Sequence, residues 1–394
     1  MAKAPHNILI YEDLLARSRK FLPLTYTRCV AELRSGAFTP IERVRSQWRE
    51  ARIFLHVRPE LKDAVAHRYD VSVNEAPVGR TLLINAREAL IIASSNDWPE
   101  VDLMPSDMAE NLISGEAIES PLPVDEDTPQ SLWDILRLNA VVIQDDAELW
   151  SRSRVKVERP SFPNCAIINP EKLFVHPGAK VDSSVVLDCS KGPIIIDEGS
   201  RIMPQTAIIG PVYIGKNSLV KIGAKIYGGT TIGPVSKIGG EVENSIVQGY
   251  SNKQHDGYLG HSFIGEWVNL GAGTNTSDLK NNYSSVRVTI EGEEFDTGSL
   301  LVGLLMGDHS KTSIGMQFNT GTIVGVSCNI FDAGFPPKWI PNFSWGGAAG
   351  ITSYRYEKAI EVARAVMARR GVAMNAEEES VLRNLFNERN RISV

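Results

Sequence analysis

Apolar positions along this chain obey two different rules. Up to about residue 155 they come as short runs and helical stripes. NILIYEDLL (7–15) and TLLINAREALII (81–92) have the apolar runs of buried strands, PIERVRSQWREARIFL (40–55) has the stripe of an amphipathic helix, and SLWDILRLNAVVIQDDAELW (131–150) has helical spacing. Strands alternating with helices predict an α/β unit over 1–155, with SPLPVDEDTPQ (120–130) as a surface loop and VERPSFPN (157–164) as the join to a second region. In that region one interval takes over: Ile196, Ile202, Ile208, Ile214, Val220, Ile226, Ile232 and Ile238 stand six residues apart. Four after each of the first seven is a small or β-branched residue: Ser200, Thr206, Val212, Ser218, Ala224, Thr230 and Ser236.

A period of six is neither the 3.6 of a helix nor the 2.0 of a strand. It fits a three-sided prism in which each hexapeptide is a short strand and a turn, the aliphatic residue points inward, and three hexapeptides close a coil. The prediction for 165–335 is a left-handed parallel β-helix. The phase resumes at Ile264 and Leu270, then at Val302, Ile314, Thr320 and Val326. Two stretches break it, SNKQHDGYLGH (251–261) and TSDLKNNYSSVRVTIEGEEFD (276–296), the second expected as a loop thrown out of the prism. Breaks in a regular scaffold are where function concentrates. The tail, 350–394, is expected to be helical, with Ala359, Ile360, Ala363, Val366 and Met367 on one stripe and Asn375 with Glu378 as a capping box.

Composition sharpens the boundary, since 28 of the 32 glycines lie between Gly178 and Gly350, where turns need them. A net charge of -6 offers no broad attraction to nucleic acid or an anionic membrane. The four cysteines form no C-x-x-C pair, and no segment is apolar enough for a signal peptide or a membrane helix, so a cytoplasmic protein is expected.

Candidate chemistry begins with histidine, the natural base near neutral pH. Of seven histidines, His176, His255, His261 and His309 can lie in the prism. His255 is the preferred base because it sits in a break of the repeat among Lys253, Gln254 and Asp256; a solvated turn histidine is the plain alternative. Transfer of an acyl group from a thioester to an amine needs such a base and donors for the oxyanion.

The string HDGYLGHSFIGEWVNLGAGT (255–274) resembles the acetyltransferase-site stretch of the GlmU family, bifunctional enzymes that acetylate glucosamine-1-phosphate and uridylylate the product. That resemblance implies His255 as catalytic base, Tyr258 as a sugar-phosphate contact and Asn269 as a substrate-site residue. Where the family has an Asn-Tyr pair, this chain has Asp278 and Leu279; Asp278 is expected to hold the substrate ammonium or to orient His255, with Lys253 and Lys280 as phosphate candidates. PLTYTRCVAELRSG (23–36), GYSNKQHDG, GDHSK and FPPKWIP place the chain nearer a divergent branch of GlmU-like proteins, a nucleotidyltransferase-like α/β domain fused to a sugar-phosphate acyltransferase. By that resemblance Arg28 and Arg34 are phosphate candidates, salt bridges to Glu32 or Glu42 being the alternative. GDHSK (307–311) is expected to line a CoA groove with His309 and Lys311, and the assembly is expected to be a homotrimer using acetyl-CoA.

Two departures count against nucleotidyl transfer from UTP or dTTP. No glycine precedes Gly36, so a Gly-rich phosphate loop is missing, and Asn85 stands where an aspartate would hold Mg²⁺, which is expected only if the N-terminal domain is active. Three other readings stay open: a sugar-1-phosphate nucleotidyltransferase whose β-helix only assembles the trimer, a zinc site of His255, His261 and His309 across a subunit boundary, and a non-catalytic scaffold or sensor.

Overall fold

The computed structural model describes residues 5–91, 100–120, 124–153 and 162–392. The N-terminal sheet has strands β1 (Asn7–Tyr11), β2 (Arg52–His56), β3 (Ser72–Val73), β4 (Thr81–Asn85) and β5 (Glu100–Val101) in the order β3-β2-β1-β4-β5, with only β5 antiparallel to its neighbour. Ile8, Leu9 and Ile10 are all buried because a parallel sheet is covered on both faces. The stretch 40–55 corrects the sequence prediction, since it divides into helix α1 (Pro40–Gln47) and strand β2. Thr39 and Glu42 cap α1 reciprocally, whereas Ile53 to His56 run parallel to β1; a helical stripe joined to a continuous apolar run hides the boundary. The first predicted strand also ends early, at Tyr11, leaving Leu14 64% exposed. Residues 121–123 of the predicted loop and 157–161 of the predicted join lie outside the described residues.

The prism is as expected over its regular half. All eight aliphatic positions are at most 1% exposed, and Ile196, Ile214 and Ile232 stack in successive coils. Three stacks of parallel strands form its faces. One runs from Leu173–Val175 to Trp339–Ile340 in nine strands; a second runs from Lys180–Val181 to Asn252–Lys253; a third runs from Ala166–Ile168 to Tyr258–Gly260. The coils then shorten: Ile238 pairs with Lys253, and Leu259 comes after Val242 by one coil of 17 residues.

Beyond the second break the expected phase is four residues off. Met306, Phe318, Val324 and Ile330 point inward, whereas Ile314 is 78% exposed and Val302 and Val326 are buried outside the prism, against the N-terminal core. The inserted segment reset the count. It carries an antiparallel hairpin, Arg287–Ile290 with Glu293–Asp296, whose Val288 and Ile290 join that same core.

What joins the units is the outward side of the first face. Ile195, Tyr213, Thr231, Ile246, Phe263, Leu305 and Ile323 point out of the prism, yet all are buried beneath the N-terminal unit. Most of the corresponding positions on the other faces are polar, for example Lys180, Arg201 and Lys225, with Leu219 and Val186 as exceptions. Helix α2 (Lys62–Tyr69) comes after β2, helix α3 (Ser106–Ser114) after β5, and the long helix α4 (Leu132–Ser153) lies along the covered face. There Asn139 accepts from Gly36 N at 2.7 Å and donates to Gly229 O at 2.7 Å, and Asp146 pairs with Arg43 at 2.7 Å with both side chains 1% exposed.

The tail forms α5 (Tyr356–Ala368) and α6 (Ala376–Ile392), which pack back on α2 and the prism. Ala359, Ile360, Ala363 and Met367 are buried as the stripe required, and Glu378 N donates to Asn375 Oδ1 at 2.7 Å. The fold class is therefore an α/β unit, a left-handed parallel β-helix and helices at the C-terminus, as expected. Among the described residues no helix is long and apolar enough to cross a membrane.

Candidate active site

The first break in the repeat surrounds one strand of the third face, Tyr258–Gly260, with His255 in the turn before it and His261 in the turn after it. One coil on lie Asn275 and Asp278, 17 residues beyond Tyr258 and His261, which is the local coil length. Asp278 thus arrives beside His261, with Oδ2 2.7 Å from His261 Nδ1 and both side chains 13% exposed. The Tyr258 hydroxyl lies 3.0 Å from the same Asp278 oxygen and 3.2 Å from Glu243 Oε2. These groups converge over Gly260, where a Cβ would come within 2.3 Å of both Asp278 Oδ2 and the Tyr258 hydroxyl oxygen.

Burial pushes the Asp278 carboxyl up, but the hydrogen bond and charge of His261 and the Tyr258 hydroxyl outweigh it, so its pKa falls below the usual value. Burial first, then the neighbouring Asp278 and Glu243, raises the Tyr258 phenol, which stays protonated. His261 holds its place with a φ of 44°, a left-handed conformation uncommon for residues other than glycine and asparagine.

His255 is exposed and its imidazole has no partner among the described residues. The carboxylate expected to orient it is on His261 instead. Lys253 corrects the sequence reading more sharply. It occupies an inward position, between Ile238 and the next coil, so its side chain enters the prism and Nζ donates to Gly239 O at 2.8 Å and His255 O at 3.0 Å. It braces the His255 turn rather than facing a phosphate.

Burial lowers the Lys253 pKa to about 8. An unfolded lysine titrates near ~10.4, so between these values the unfolded chain binds more protons and stability rises with pH. Lys253→Met is expected to remove about 2 kcal/mol of that rise between pH 8 and 10, while Lys311, whose pKa burial also lowers to about 8, keeps a similar share. Urea titrations at several pH values measure it; an unchanged slope would place the Lys253 ammonium in water.

The other predicted residues lie apart from the cluster. Asn269 is exposed on the second face, bridging Asn252 and Lys311, and Lys280 donates to Ser285 O at 2.6 Å in the inserted loop. His309 and Lys311 are not at an open groove, because the N-terminal unit and α5–α6 cover them. His309 is 9% exposed, burial lowers its pKa to about 3, and Lys311 Nζ donates to its carbonyl at 2.7 Å. Beside it a cavity of about 40 Å³ is lined by Arg28, Glu266, Trp267 and Met367 among others. His255, His261 and His309 occupy three different edges of the prism, and among the described residues no three metal-ligating side chains converge.

Arg28 and Arg34 are turned on the chain itself. Arg28 pairs with Asp308 and lies 3.5 Å from Glu266, while Arg34 pairs with Glu42 at 3.0 Å and donates to Ala37 O at 3.0 Å. The PLTYTR and GDHSK motifs therefore meet each other. At the carboxyl ends of β1 and β4, Asp13 takes hydrogen bonds from Asn85 at 2.9 Å, Ala16 N at 2.8 Å and Arg87 at 2.5 Å. Burial raises its pKa and these donors lower it further, so the carboxylate is ionised but fully occupied. Such a set does not fit Mg²⁺, which needs free oxygen ligands.

Proximity along the chain does not reveal the His261–Asp278 contact. Its signal lies in the register: once coils run to 17 residues, residues 17 apart are stacked neighbours.

Fold and cluster together define an architecture, an α/β unit folded along a hexapeptide-repeat prism that carries a cluster of two carboxylates, a phenol and a histidine. Residues 8–92 match the family model described as sugar nucleotidyl transferase. The chain is 34% identical over 143 residues to the bifunctional sugar-1-phosphate nucleotidylyltransferase/acetyltransferase of Sulfurisphaera tokodaii, 36% of each chain. It is 28% identical over 209 residues to the bifunctional protein GlmU of Heliobacterium modesticaldum (48% of this chain, 45% of that one), and 34% identical over 164 residues to that of Methanocaldococcus jannaschii (40% and 38%). The matched segments span less than half the length of these curated relatives. A solved UDP-N-acetylglucosamine acyltransferase aligns over 55% of this chain and 85% of its own at 14% identity, with a TM-score of 0.20. Over these stretches the chain is similar to GlmU proteins, whose motifs it resembles, and to a bifunctional sugar-1-phosphate nucleotidylyltransferase/acetyltransferase.

Proposed function

We propose that this protein transfers an acetyl group from acetyl-CoA to the amine of an amino-sugar phosphate, glucosamine-1-phosphate being the first acceptor to try. The observation that carries this reading is the cluster of Glu243, Tyr258, His261 and Asp278 over Gly260, of which Tyr258, Gly260 and His261 lie within the segment that resembles the GlmU acetyltransferase site. The two carboxylates suit an ammonium, the phenol suits a sugar hydroxyl or phosphate oxygen, and two histidines flank the strand as proton acceptors. Resemblance gives the base role to His255, and its exposed imidazole is open to a substrate. The partner prism of a homotrimer completes the proposed surroundings, since Asn269 and Lys280 of the same chain lie apart from the cluster. With the first face covered by the N-terminal unit and the second met by the C-terminal helices, where Arg370 donates to Asn252 at 2.7 Å, the third face is the most open one for such an assembly.

The second transferase activity, from UTP or dTTP to a sugar-1-phosphate, is disfavoured by the occupied Asp13 and by Asn85 at the strand ends. No step through Mg²⁺ is assigned. The test is to incubate the protein with acetyl-CoA and a panel of amino-sugar phosphates and follow free thiol. Release that depends on the acceptor is expected; silence across the panel would sink the proposal. Adding UTP or dTTP with Mg²⁺ and assaying pyrophosphate is expected to give none.

A further inference from the structure

We infer that the second face of the prism, where the end of α5 meets it, binds the phosphate of a small anionic ligand through Lys221, Lys237, Arg369 and Arg370. The inference does not depend on acetyl transfer, since it concerns a site outside the cluster over Gly260 and is read by binding alone.

The four cations converge because of how the coils stack. Lys237 points outward between Leu219 of the previous coil and Asn252 of the next. Lys221 N donates to Ile238 O at 2.7 Å, and a Cβ built at Gly239 would lie 3.1 Å from Lys221 Cβ. The two lysine stems therefore rise from adjoining coils, about 4.8 Å apart. Helix α5 ends against them: Met367 is buried in its last turn, Arg370 donates to Asn252 Oδ1 at 2.7 Å, and Arg369 precedes it in the chain. Lys221, Lys237 and Arg370 are half-buried, and Arg369 is exposed.

Among the described residues none of the four is ion-paired with a carboxylate, whereas Lys180, Arg201 and Lys225 on the same prism are. Burial lowers the pKa of Lys237, and the charges of Arg370, Lys221 and Arg369 lower it further. Arg370 is lowered by burial and by Arg369. The negative end of the α5 dipole accounts for two arginines at its last turn, but not for two lysines facing them from the prism. Four like charges held together oppose folding unless an anion neutralises them. In a chain whose net charge is -6, the field that draws an anion here is local. A phosphate suits it, because its oxygens accept from ammonium and guanidinium donors at once. The site also adjoins the turn of His255: Gly239, two residues after Lys237, gives its carbonyl to Lys253 Nζ, which in turn holds His255 O.

The test is titration of inorganic pyrophosphate into the full-length protein by calorimetry at constant ionic strength, with the thermal midpoint measured alongside. Saturable binding and a raised midpoint are expected. Lys237→Met and Lys221→Met keep the apolar stems, and each is expected to weaken binding about tenfold or more. Without ligand the midpoint of each variant should stay equal or rise, because a repelling charge is gone; a merely structural role would lower it. Lys237→Arg is expected to retain binding. Competition by glucosamine-1-phosphate or by CoA distinguishes a sugar phosphate from a CoA phosphate as the source, and displacement by either supports the site. Binding absent from the wild type, or undiminished when both lysines are replaced, overturns the inference. So does a changed oligomeric state of the variants in light scattering, which would assign the cations to a neighbouring copy. Acetyl transfer stands or falls separately, on thiol release.

Discussion

Arg28→Met is expected to destabilise the protein by about 3–5 kcal/mol, because it leaves a buried carboxylate without its counter-charge. Arg28 is 5% exposed and Asp308 4%, and Asp308 has Arg28, the Thr27 hydroxyl at 2.6 Å and Glu266 N at 2.8 Å as its partners. A methionine fills the space of the stem but cannot compensate the charge. Since the N-terminal unit and the outer side of the prism share one core, urea unfolding monitored by tryptophan fluorescence should show a single transition whose midpoint falls. A loss below about 1 kcal/mol, accompanied by loss of nucleotide or acetyl-CoA binding, would return Arg28 to the ligand role that the resemblance implied.

The pH dependence has a definite sign. Burial raises the Asp308 carboxyl, but Arg28 and the hydroxyl of Thr27 pull it below the usual value. Its contribution is therefore fully present above the unfolded value near ~3.9 and is lost as pH falls through the lower folded one. The lock between the PLTYTR and GDHSK motifs should hold at neutral pH and open only in strong acid. In the Arg28→Met variant that acid-sensitive component should disappear, because the carboxyl then has no reason to ionise early.

Gly260→Ala is expected to cost activity far more than stability. The built Cβ would lie 2.3 Å from Asp278 Oδ2 and from the Tyr258 hydroxyl oxygen, both far ends of side chains that can move aside. The backbone of Gly260 is not in a left-handed conformation, so alanine itself adds no strain there. Folding should survive, with a change in midpoint of about 1 kcal/mol or less. Moving Asp278 and Tyr258 by about 1 Å is enough to disorient His261, and misplacement of that size costs on the order of 10²-fold in rate. Thiol release in the acetyl-transfer assay measures it. Full activity in this variant would mean that the cluster over Gly260 does not take part in the reaction.

Gly260 and Gly303 lack a side chain for different reasons. A Cβ at Gly303 would lie 2.0 Å from the carbonyl oxygen of Gly260, a backbone atom fixed in the adjoining coil. That glycine keeps two coils in contact, whereas Gly260 keeps three side chains together.

Much of the architecture was legible in the sequence alone. The period of six from Ile196 to Ile238 determined the prism, its inward set and the small residues at its corners, because a local geometric repeat leaves a local repeat in the chain. The buried strands β1 and β4, the helix α4, the capping box at Asn375 and the breaks that hold the candidate site were also readable, each resting on contacts within a few residues. Tertiary structure decided the rest. Which carboxylate meets which histidine depended on a shortened coil that stacks Asp278 on His261, and the shortening is invisible until partners across coils are known. Lys253 turned inward for the same reason, as the phase slipped by a few residues after Ile238. That Arg28 and His309 are buried against each other's motifs emerged only when the N-terminal unit closed over the first face, a contact between residues some 280 positions apart. Its sequence trace, apolar residues on the outside of one face and mostly polar ones on the others, acquires meaning once the chain is wound into a prism with three distinguishable sides.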